Sequence, residues 1–112
     1  TSGATINPAD CNNSGGQYAL SVTPNSAKPG QTVKIRFLYP GTQPGSGDWI
    51  GLFYPETKNS YTGPWSYVVY LKNCEYDYVV PYITPGKMQF RYILEAGYDK
   101  VMVTTDFMVL PN

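Results

Sequence analysis

The chain has 112 residues, 42% hydrophobic and 14% charged, with 8 basic and 8 acidic side chains and no histidine. Its length fits one domain, and its hydrophobic content argues against disorder. A formal net charge of zero excludes a broad pull toward nucleic acid or anionic membrane, and no apolar run approaches a membrane span.

Eleven Tyr beside 10 Pro and 11 Gly point to short strands joined by tight turns. Residues 1–16 are polar and turn-rich and read as an N-terminal arm, with 17–112 as the folded domain. Thr1 opens a polar stretch without a signal-peptide pattern, so the chain reads as an already processed mature form. Cys11 lies in the arm and Cys74 in the body; with no CxxC pair and no His, a zinc site is poorly supported. A disulfide tying the arm down is therefore expected, against the alternative of two free thiols in a cytosolic protein. Closing about 60 residues, it would stabilise the fold by roughly 4 kcal/mol on the chain-entropy model. It points to a secreted, extracellular protein, and the Asn12-Asn13-Ser14 sequon agrees.

Strand pattern begins at 18–22, followed by turn chemistry at 23–26 and 28–30. Over 32–39, Val33, Ile35 and Phe37 alternate with Lys34 and Arg36, the signature of a half-buried antiparallel strand. After a loop at 40–47, the run 48–54 (DWIGLFY) reads as a central strand; being apolar on both faces, it makes Trp49 a core residue. Residues 55–64 read as a second long loop, and 65–71 as a strand with Trp65, Tyr67, Val69 and Leu71 on one face. Tyr76, Tyr78 and Val80 share a face of the next strand, and Glu75 and Asp77 point outward from a sheet edge, where charge discourages aggregation. Phe90, Tyr92 and Leu94 alternate with Gln89 and Arg91, and 96–99 reads as a hairpin-like turn. Val101, Val103, Thr105, Phe107 and Val109 line one face of the last strand. About seven strands with short links predict an all-β, antiparallel immunoglobulin-like β-sandwich; an up-and-down barrel is the alternative.

Gly47-Asp48-Trp49-Ile50-Gly51-Leu52-Phe53, with Pro85-Gly86, Phe90-Arg91-Tyr92, Gly97-Tyr98 and Thr105-Asp106-Phe107, carries a resemblance over about residues 19–110. It is similar to immunoglobulin-like domains with a DWIGL[FY] strand: SKICH-type domains and N-terminal domains attached to some purple-acid-phosphatase-like proteins. The resemblance implies a sandwich used for attachment, targeting or interaction. The expected disulfide departs from the intracellular setting of SKICH domains, and the chain is expected to carry the module without a phosphatase domain.

Nothing in the residue set points to catalysis. No His supplies a base near neutral pH, both thiols are expected to be oxidised, and the carboxylates are scattered, so a glycosidase pair would have to be assembled by folding. No phosphate-binding glycine motif or Asp-rich calcium loop appears, and no cofactor or metal is expected. Asp48 reads as a structural acceptor for N–H groups of the preceding Gly-rich loop, with ligand contact as its other role. The stretch 55–65 and its continuation offer the ligand-binding candidates: Tyr61, Trp65 and Tyr67 as aromatic surfaces, with Glu56, Lys58 and Asn59 as polar partners. Sugar rings stack their C–H faces on such aromatics, and protein-binding surfaces use the same residue types. The expected function is carbohydrate binding by a lectin-like, non-enzymatic module. The alternatives are adhesion or self-association through an exposed Tyr-rich sheet, or inhibition of a secreted enzyme; the expected partner is thus an extracellular glycan or protein.

Overall fold

The computed structural model describes residues 11, 17–41, 44–58, 60–71 and 73–111. The expected arm apart from Cys11, the Asn12 sequon and the candidate Asn59 lie outside the described residues. Among the described residues the chain forms eight strands: β1 (Ala19–Thr23), β2 (Ser26–Ala27), β3 (Thr32–Leu38), β4 (Trp49–Phe53), β5 (Tyr61–Tyr67), β6 (Glu75–Val79), β7 (Gly86–Ile93) and β8 (Val101–Val109). They make a three-stranded sheet, β1-β3-β6, and a five-stranded sheet, β2-β8-β7-β4-β5. This is an all-β, immunoglobulin-like sandwich, with one strand more than expected. The extra strand arises because the first segment changes sheets: β1 pairs antiparallel with β3, and after Pro24-Asn25 the two-residue β2 pairs parallel with β8.

The sandwich core follows from alternation. Val33, Ile35 and Phe37 of β3 and Tyr78 of β6 meet Ile50 and Leu52 of β4, Met88, Phe90 and Tyr92 of β7, and Phe107 and Val109 of β8. Aromatic edges fill the centre, with Tyr78 on Phe90 at 5.0 Å and Phe90 on Phe107 at 5.2 Å between ring centroids. The outer face of the three-stranded sheet is ionic. Lys34 pairs with Glu75 and Asp77 at 3.2 and 3.7 Å, and Arg36 with Glu75 at 3.0 Å, so the charges expected to protect the β6 edge also lace it to β3. Cys11 and Cys74 form the expected disulfide, and the Tyr39 N–H donates to the Cys11 carbonyl at 2.9 Å.

Three local expectations are corrected. The loop expected at 55–64 ends at Tyr61, because β5 runs through Gly63-Pro64 instead of stopping there. A register shift opposite Gly51/Leu52 absorbs the extra residues. Gly63 takes φ +73, and a Cβ there would come within 2.7 Å of Pro81 and 2.9 Å of the Tyr78 hydroxyl, so only glycine suits the position. Pro64 is tolerated because β5 is a sheet edge.

The strand expected to continue to Leu71 ends at Tyr67. Val68–Tyr70 forms a 3-10 turn, with Val68 buried, its N–H donating to the Asp48 carbonyl at 2.8 Å, and Val69 and Tyr70 exposed. The last strand does not keep Val101 on one face with Val103. A bulge, placing Tyr92 opposite Val103 and Ile93 opposite Val101, turns Val101 to the outer face.

Candidate functional site

The strand 49–53 is apolar on both faces because both are covered. Ile50 and Leu52 enter the sandwich core, while Trp49 and Phe53 join Ile93 in a second cluster, packed by Tyr67, Tyr98 and Val101. Trp49 is buried, as expected of a core residue, but against aromatics on the outer face and not between the sheets. Cross-strand register assembles this face: Tyr67 stands opposite Trp49, Trp65 opposite Gly51 and Tyr61 opposite Phe53.

The Trp49 indole is the floor. Tyr61, Trp65 and Tyr98 meet it edgewise, at centroid distances of 5.7, 5.6 and 5.8 Å and interplanar angles of 80°, 74° and 84°. Tyr67 meets Trp65 at 5.0 Å and 89°. The Trp49 Nε1–H donates to the Gly97 carbonyl at 2.9 Å, which fixes the ring and links β4 to the β7–β8 connection carrying Tyr98. Trp49, Tyr61, Trp65, Tyr67, Ala96 and Tyr98 line an open hollow of about 120 Å³. Trp49 is only 5% exposed, whereas Tyr61 and Trp65 are 42% and 41% exposed. Both tryptophans of the chain therefore lie in this site.

Arg91 braces the site from below. Its guanidinium lies 4.5 Å over the Phe53 ring and is only 6% exposed. Nε donates to Gln89 Oε1 at 2.8 Å, Nη1 to the Lys58 carbonyl at 3.2 Å, and Nη2 to the carbonyls of Pro55 and Tyr54 at 3.4 and 3.5 Å. It thereby ties the segment after β4 to the sheet, and burial lowers its pKa. The Lys58 ammonium reaches Asp99 at 2.9 Å, and this exposed pair raises the Lys58 pKa and lowers that of Asp99.

Of the candidates, Tyr61, Trp65 and Tyr67 are brought together in the hollow. Lys58 is engaged with Asp99, Glu56 is exposed, and neither lines it. Trp49, Tyr98 and Ala96 complete the lining and were not anticipated. The sequence signal for Trp49 is its place four residues before Phe53, on the same strand face and out of phase with Ile50 and Leu52; Tyr98 carries no comparable signal.

Other polar groups have structural partners. Asp48, buried at the entrance to β4, accepts from the Gly45 N–H at 3.0 Å and from the Tyr92 hydroxyl at 2.8 Å. A larger groove of about 350 Å³ runs beside Cys74, lined by Leu20, Phe37 and Leu38, but its charged residues Arg36 and Glu75 pair with each other. Among its described lining residues Phe37 is the only aromatic, so the smaller hollow has the richer recognition chemistry. Among the described residues no cluster of His, Cys, Asp or Glu could hold a metal ion, and no helix is long and apolar enough to cross a membrane. Comparison with protein-family models, curated proteins and solved structures finds no match to this chain.

Proposed function

We propose that the chain is a secreted, non-enzymatic recognition module that binds carbohydrate on the outer face of its five-stranded sheet. One observation carries this reading: Tyr61 and Trp65 are both two-fifths exposed while their rings are held at fixed angles on a buried indole. Aromatics ordered before binding lose little side-chain freedom when a sugar stacks on them. Ser60, Glu56 and the Lys58–Asp99 pair supply exposed polar groups on neighbouring segments. The disulfide favours an oxidising compartment. The likeness of 47–53 to SKICH-type and phosphatase-associated sandwich domains supports an interaction role in general.

A glycan array probed with the intact protein tests the reading. Trp65→Ala or Tyr61→Ala should weaken binding to any positive glycan by about 1–3 kcal/mol, by analogy with bases stacked on aromatics, while the fold survives. A folded variant that binds undiminished, or a parent blind to every glycan, removes the proposal. Self-association is a second reading, favoured by Tyr70, which is exposed just beyond the β5 edge and stacks edgewise on Tyr67 at 6.1 Å. There Tyr70→Lys should separate an oligomer seen by size exclusion.

A further inference from the structure

We infer that the hollow bounded by Trp49, Tyr61, Trp65, Tyr67 and Tyr98 is a cation–π cage for a methylated ammonium group, the head of a choline-like ligand. This goes beyond the glycan reading: a sugar would stack on the outward faces of Tyr61 and Trp65, whereas the cage is the space between the rings.

The hollow is small and opens to solvent, with about 120 Å³ of space, room for a compact group such as a nitrogen with its methyl groups.

Chemistry selects the occupant. Among the described residues, five of the six that line it are aromatic and the sixth is Ala96, so neither a carboxylate nor a competing ammonium is among them. Tyr61, Trp65 and Tyr98 stand nearly perpendicular to Trp49, and Tyr67 to Trp65, so π systems of different orientation border one small volume, the kind of arrangement that attracts a cation. A primary ammonium would arrive with three N–H donors and no carboxylate to receive them. A quaternary ammonium has no N–H donors and is held by the ring quadrupoles alone.

The same cluster already stabilises one desolvated cation. Arg91 rests on Phe53, which in turn packs edgewise against Tyr61 and Tyr98, and its hydrogen bonds go to neutral oxygens. Rim charges do not supply the attraction, because Lys58 is paired with Asp99 and Lys100 with Glu95. Binding should therefore depend only weakly on ionic strength.

Titration of the intact chain with tetramethylammonium and with choline tests this, read by tryptophan emission, since both tryptophans line the hollow. Both cations should give a saturable change that persists in added sodium chloride. The uncharged tert-butyl isostere of choline should bind at least about tenfold more weakly, since it lacks the cation–π attraction. Trp65→Ala should weaken the cations by about tenfold or more, with Trp65→Phe restoring part of the loss. Tyr61→Ala removes a second wall and serves if the Trp65 variant does not fold. No saturable response to either cation, or equal binding of the uncharged isostere, overturns the cage. The glycan array reads a different ligand, so either proposal can fail while the other stands.

Discussion

The indole of Trp49 lies across Gly51, so that a Cβ at Gly51 would stand 2.7 Å from Trp49 Cζ3 and 3.4 Å from Phe53 Cε1. The glycine in the middle of β4 is thus a space for a ring, and the floor of the hollow depends on it. Gly51→Ala should push Trp49 out of place, because the added methyl meets a ring already fixed by the Gly97 carbonyl. A loss of about 1–3 kcal/mol is expected in urea unfolding, as for other overpacked sites. Altered tryptophan emission should accompany it. A variant as stable as the parent with identical emission would show that Trp49 has room to move.

Arg91 holds the segment 54–58 through bonds that need its planar fork, so charge alone cannot replace it. Arg91→Lys should leave carbonyls of this segment unpaired and cost about 1–3 kcal/mol. Hydrogen exchange should show faster opening of amides in 54–58 than in the core strands β3 and β7. Unchanged exchange in 54–58 would mean that the segment is held by other contacts.

The sandwich was legible where one face of a strand is buried and the other wet. Lys34 and Arg36 against Val33, Ile35 and Phe37 leave β3 a single orientation, and the register observed uses it. At β4 that logic stops, since Ile50 and Leu52 are no more apolar than Trp49 and Phe53, and alternation cannot say which pair meets the opposite sheet. Gly63-Pro64 reads locally as a turn and becomes a bulge only because Pro81 and Tyr78 of the facing layer pack against it. Tyr61, Trp65 and Tyr67 were visible as aromatics gathered in one stretch of chain. Tyr98 was not, because what delivers it is the backbone of the β7–β8 connection, whose Gly97 carbonyl holds an indole 48 residues away in sequence.

The disulfide spans 63 residues and holds Cys11 beside Tyr39. Replacing both cysteines by alanine should lower stability by about 2–5 kcal/mol, the range for native bridges in small domains. Thiol titration of the denatured, unreduced protein should find none. Two reactive thiols would remove both the staple and the argument for an oxidising compartment.

Alkaline unfolding should be steep, because buried tyrosines resist losing their protons. Burial raises the pKa of Tyr78 and Tyr92 well above the ordinary tyrosine range, and for Tyr92 the hydrogen bond to Asp48 and its charge add to the effect. In the unfolded chain both titrate near pH 10. Below that pH both states are protonated and the full stability is present. Above it the unfolded chain releases protons that the folded chain retains, so stability falls as pH rises. Each tyrosine contributes a slope of about 1.4 kcal/mol per pH unit in this window, and the two together about 3 kcal/mol. Urea midpoints measured from pH 9 upward, on the order of one pH unit either side of the ordinary tyrosine pKa, should show a plateau followed by this decline. Tyr92→Phe should lower the plateau by about 0.5–1.5 kcal/mol through the lost hydrogen bond to Asp48, and more if the buried carboxylate is left short of a donor. It should also flatten the decline by one tyrosine's share, as should Tyr78→Phe. A slope that neither phenylalanine variant changes would mean that these hydroxyls ionise in the folded protein as readily as in the unfolded chain.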